Sequence, residues 1–165
     1  MVRDRKSSTQ VAPARWVLAG SIASVVSTLV LTACGWRENR RPAGPSNGPS
    51  QWVWGREAAN RRTFSVPHTV VGYAIHHLSS LFWARVHEMR FRRSGPVPLQ
   101  QELLRGLSTA ALACAVDYRA VPRRLQPGFE QQLSRTSLFA VYTVFGLAIG
   151  ATRYFLIRHG GQRRG

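Results

Sequence analysis

Two adjacent histidines, His76 and His77, stand near the middle of Val66–Ala84, a stretch without Asp, Glu, Lys or Arg. An imidazole in such a setting can ligate a metal or haem, or pass a proton. Ionisable groups within apolar segments are costly and often functional. At 100° per residue, His76, Ser80, Trp83 and His87 share one helical face, and His77, Ser80, Ala84 and Glu88 share a neighbouring one. His76, His77 and His87 are therefore the candidates for metal or cofactor binding, with no particular cofactor indicated. The same geometry argues against one shared ion, because neighbours on a helix diverge by about 100° and a site needs another helix. The alternative is a pair of neutral imidazoles hydrogen-bonded inside a bundle.

Asp117 is the second candidate, at the end of a shorter apolar stretch and followed by Tyr118 and Arg119. An Asp at the centre of a membrane helix costs about 2.5–3.5 kcal/mol, so pairing with Arg119, Arg123, Arg153 or a histidine is expected. Arg153 closes the charge-free run Thr136–Thr152 and is expected to reach an interface or meet an acid. Cys34 ends Leu31-Thr32-Ala33-Cys34, which matches a bacterial lipoprotein signal and makes it the candidate for lipidation. The other cysteine is Cys114, and no CxxC occurs. No catalytic residue is indicated: Gly-rich phosphate loops, GxSxG, HExxH and acids paired at helical spacing are all missing from the sequence.

Four apolar stretches must position these groups: Trp16–Cys34, Val66–Ala84, Leu103–Val116 and Thr136–Thr152. Three approach the ~20 residues needed to cross a bilayer. The third has an uncharged core of only Gly106–Val116 and must borrow Leu103, Leu104 and the stem of Arg105. The expected fold is all-α, a four-helix transmembrane bundle of one domain. Its spans lie at about 16–34, 66–88, 102–120 and 136–157, between a basic tail at 1–14 and another at 159–165.

The net charge of +16 fits either nucleic acid or an anionic membrane surface. Distribution separates these readings. Lys6 is the only lysine, and the arginines flank the apolar runs instead of forming one polar stripe. Anionic phospholipid headgroups are therefore the expected partner, and nucleic acid is not. Both termini are assigned to the cytoplasm, although every connector is basic.

Small residues supply packing signals. Gly146 and Gly150 form a GxxxG pattern, and Gly106, Ala110 and Cys114 share one face of the third span. Such stripes let helix backbones approach, either within the bundle or in a homo-oligomer through Gly146 and Gly150. The connector 35–65 is rich in turn signals, and Trp52 and Trp54 suit a short interfacial helix over Trp52–Asn60.

Leu31–Tyr154 resembles a group of small, uncharacterised, multi-pass bacterial inner-membrane proteins. The matching pieces are Pro45-Ser46-Asn47, Ser50-Gln51-Trp52-Val53-Trp54-Gly55, the run Gly72–Ala84 with its His-His pair, Asp117-Tyr118, Val121–Leu125 and Pro127–Glu130. The group has His where this chain has Gln51. The resemblance implies a retained first helix, a four-helix membrane fold and no established activity. The expectation is a non-enzymatic structural or interaction protein of the bacterial inner membrane. The alternatives are a metal-, haem- or proton-handling protein using His76 and His77, and a lipoprotein processed at Cys34.

Overall fold

Each apolar stretch lies within a helix, as long uninterrupted runs with few breakers require. The computed structural model describes residues 12–92 and 95–162; the tail residues 1–11 and 163–165 lie outside them. The helices are α1 (Ala12–Asn39), α2 (Gly44–Asn47), α3 (Gln51–Trp54), α4 (Val71–Phe91), α5 (Leu99–Ala115) and α6 (Arg135–Gln162). A wider π-helical turn, Val66–Val70, leads into α4, with Pro67 in its first turn, where a missing N–H is harmless. A second π-helical turn, Val116–Ala120, extends α5 and carries Asp117.

The described residues are helices and connectors throughout, in line with the all-α expectation. Among the described residues, two helices are long and apolar enough to cross a membrane, Arg15–Asn39 of α1 and Arg135–His159 of α6. Neither α4, which carries Arg85, Glu88 and Arg90 in its second half, nor the 17-residue α5 reaches that standard. By length and composition, two of the four expected spans meet that standard.

α1 and α6 pack together at the centre, with α4 against α1 and α5 against α6. Small residues make the close contacts. On α1, Ala19, Ala23, Ser24 and Ser27 are buried, while Leu18, Ile22, Val25 and Leu29 face outward. A Cβ on Gly106 would collide with the Gly146 carbonyl, and one on Gly146 would lie 2.8 Å from the Ala110 Cβ. A Cβ on Gly150 would lie 2.5 Å from the Glu102 carbonyl. The GxxxG stripe thus packs against α5 of the same chain, the first of its two expected uses.

The first connector, expected as a run of turns with a short interfacial helix, is largely buried in its middle part. Every residue from Gly44 to Gln51 is buried. Short helical turns pair part of its backbone, and polar side chains tie it to neighbouring segments. Asn47 donates to the Arg61 and Thr63 carbonyls at 2.8 and 3.0 Å and accepts from Thr69 at 2.6 Å. Gln51 donates to the Gln126 carbonyl at 2.6 Å and accepts from Gln131 at 3.2 Å. Gly128, at φ +77°, meets Gly48 so closely that its Cβ would lie 2.7 Å from the Gly48 carbonyl. The expected helix over Trp52–Asn60 is split at Gly55, φ +84°, into α3 and a 3-10 turn, Arg56–Asn60. Both tryptophan rings remain partly exposed while their N–H groups bond inward, Trp52 to Gln126 and Trp54 to Pro67.

Candidate functional site

Ionisable side chains gather at two levels of the bundle. Near the α1 N-terminal end, Arg153 of α6 is 3% exposed. Its Nε donates to Glu88 of α4 at 3.0 Å, its Nη1 to Glu102 of α5 at 2.7 Å, and its Nη2 to the Phe91 carbonyl at 2.8 Å. Arg105 adds a 3.2 Å contact to Glu102 one turn away. His87 bonds Thr109 through Nδ1 at 2.9 Å and places Nε2 3.4 Å from Glu102. Arg153 and Arg105 balance Glu88 and Glu102, so the cluster is neutral when His87 is neutral. Local helix fields agree with it, since Glu102 lies in the first turn of α5 and Arg153 meets the last turn of α4.

Further along the bundle, α4 and α5 part and leave a cavity of about 570 Å3. Its floor is α1 and α6, including Ser27, Tyr142 and Phe145, and Pro49, Trp52 and Pro127 of the connectors lie at one end. His76 enters from α4 and Asp117 from the π-helical turn after α5. The Nε2 of His76 lies 2.9 Å from the Ser27 hydroxyl. That hydroxyl also lies 2.7 Å from the Ala23 carbonyl and 3.1 Å from the Ser24 carbonyl; with its hydrogen on either, it accepts from Nε2–H. In that tautomer Nδ1 of His76 is an acceptor, and it has no hydrogen-bond partner among the described residues. Tyr142 donates to Oδ2 of Asp117 at 2.6 Å, and Oδ1 has no partner among the described residues.

The sequence-derived candidates thus separate. His76 and Asp117 line one cavity. His77 does not join them: it lies against Tyr73, ring centroids 6.0 Å apart, with Nδ1 buried and unpartnered. His87 belongs to the Arg153 cluster. No group of three or more metal-ligating side chains occurs among the described residues. Asp117 takes a tyrosine hydroxyl instead of the arginine or histidine expected for it. Arg153 meets an acid, as one of its two expectations had it, and meets a second. Cys34 sits inside unbroken α1 and packs beside a core of Leu31, Phe129, Leu133 and Val141. Cleavage before it would remove Leu31 from that core, and Ala19 and Ala23 from the other.

From sequence, Glu88 shares a face with His77 but has no role assigned to it, and Glu102, Ser27 and Tyr142 have no chemical role either. A signal existed for the two acids, since an arginine late in an apolar helix requires a counter-charge. Ser27 and Tyr142 gave none, because a serine hydroxyl in a helix bonds its own backbone as readily as a neighbour and a tyrosine hydroxyl finds its partner only through tertiary packing. Chemically, the Arg153 cluster is a closed set of ion pairs, and the cavity is an apolar, aromatic-walled space offering two unfilled acceptors. No protein family, curated protein or solved structure matches this chain.

Proposed function

We propose that this chain is a multi-pass protein of the bacterial inner membrane, with four spans and both termini in the cytoplasm. Its role in this reading is that of a non-enzymatic structural or interaction protein whose bundle also shelters a ligand cavity. The observation that carries the reading is the inverted distribution of side chains. Large apolar residues face outward on every long helix: Leu18, Ile22, Val25 and Leu29 on α1, Leu78 and Phe82 on α4, Leu104 and Leu112 on α5, Phe139 and Phe155 on α6. Most buried positions hold small or polar residues, as in bundles whose outer solvent is lipid, with Leu31, Trp83, Phe129, Leu133, Val141, Phe145 and Ile149 as the large apolar ones. A soluble monomer rarely exposes apolar surface so continuously. Arginines at the helix ends fit anionic headgroups.

The test is extraction of native-source membranes with alkaline carbonate. The protein is expected to stay in the pellet and to leave it only with detergent. Release into the supernatant would end the membrane reading. For topology, a green fluorescent protein fused after Gly165 is expected to fluoresce, and alkaline phosphatase joined after Arg61 is expected to be active. Alkaline phosphatase activity at the C-terminus would overturn the assigned orientation.

A further inference from the structure

The cavity between α4 and α5 holds more specific information than its apolar walls. Among its polar lining residues, which also include Ser79 and Ser80, His76 pairs with Ser27 of α1 and Asp117 with Tyr142 of α6, and these four line the same space. His76 and Asp117 each spend one atom on the protein and leave one acceptor, Nδ1 of His76 and Oδ1 of Asp117. The lining contains no Lys or Arg, so a phosphate or fatty-acid carboxylate would meet the Asp117 carboxylate without a compensating cation. Flat aromatic walls, Phe82, Trp83, Phe129 and Phe145, favour a planar ring. A ring with two hydroxyl donors and an apolar tail satisfies all of these conditions.

We propose that this cavity binds a lipid-soluble quinol, its hydroxyls donating to Nδ1 of His76 and Oδ1 of Asp117. The proposal concerns binding alone. It rests on the membrane reading, because such a ligand arrives through lipid.

The test uses the full chain in detergent, titrated under argon with a short-tailed ubiquinol and read by tryptophan fluorescence, since Trp52 and Trp83 line the cavity. Saturable quenching by the quinol is expected, with the oxidised quinone, which has no donors, binding about tenfold more weakly. Asp117→Asn and His76→Phe should each weaken the quinol about tenfold. Leu125→Trp, at a 42% exposed position on the cavity lining, should abolish quenching with an unchanged melting temperature, so misfolding of the other variants would not decide the matter. Equal affinity for quinone and quinol, full binding by Leu125→Trp, or absence of saturable quenching would each overturn the proposal. A protein retained in carbonate-washed membranes that fails to bind would sink this inference and leave the membrane reading standing.

Discussion

At the Arg153 level, the three nitrogens of the guanidinium reach two carboxylates and a helix-end carbonyl, and nothing in the cluster is more than slightly exposed. At the His76 level, two polar groups hold one bond each and face an open cavity of about 570 Å3. The same two helices, α4 and α5, line both levels. They come together where charge can be cancelled and part where it is not. Removing an ion from water costs several kcal/mol, so the first arrangement is tolerable only when complete. The second leaves hydrogen-bonding capacity unspent, which is what a binding site requires and a structural core avoids.

The strongest way to break this contrast is Arg153→Met. It leaves Glu88 and Glu102 buried without their main counter-charge, and removal of one partner from a buried pair costs about 3–5 kcal/mol. The expected result is a large fall in folded yield and in melting temperature, measured in detergent by circular dichroism. Combining it with Glu88→Gln and Glu102→Gln should recover much of the loss, because the uncompensated charge is gone. A single variant that melts like the parent would mean that the cluster does not hold the helices together.

How far all this could be read beforehand depends on how local each feature is. Helix formation follows from runs of apolar residues, so helices were expected over all four stretches. The approach of α5 to α6 was foreshadowed by Gly106, Ala110, Gly146 and Gly150, because small residues at four-residue spacing have few other uses. The pairing of His76 with Ser27 was not visible, since it depends on the register of α1 against α4. The sharing of one cavity by His76 and Asp117 depends further on the register of α5 against α6. Burial of Gly44–Gln51 was hidden by composition: proline, glycine and serine usually signal an exposed turn, and here they permit short helical turns and close backbone contacts. Glu88 and Glu102 lay outside the charge-free cores, at the limits of the second and third expected spans, and nothing local marked them as partners of Arg153.

A smaller effect is expected where the helices meet without charge. Gly106→Val places a branched side chain against the Gly146 backbone, which cannot give way as a flexible side chain can. Overpacking of this kind costs about 1–3 kcal/mol. Gly95→Val is the control, since nothing lies within 4 Å of a Cβ there. Thermal unfolding should separate the two variants clearly. It would also sharpen the comparison: spreading α5 from α6 moves Glu102 away from Arg153 and Asp117 away from Tyr142, so both levels should loosen together. Equal melting temperatures for the two variants would mean that the α5–α6 contact is not tight.

The smallest effects provide the finest comparison, because the same chemical deletion can be made at each level. Tyr142→Phe removes the hydroxyl bonded to Asp117, and Thr109→Val removes the one bonded to His87. Hydrogen bonds between membrane helices average about 0.6 kcal/mol, with a maximum near 1.7. Tyr142→Phe should fall in that range, since the open cavity lets Asp117 find water or a ligand. Thr109→Val should cost more, about 1–3 kcal/mol, because His87 is 1% exposed and its Nδ1 would be left without a partner. The order of the two is the decisive quantity. If Tyr142→Phe proves as costly as Thr109→Val, the carboxylate of Asp117 is as enclosed as the Arg153 cluster. The cavity would then be a packing gap and not a site with capacity to spare.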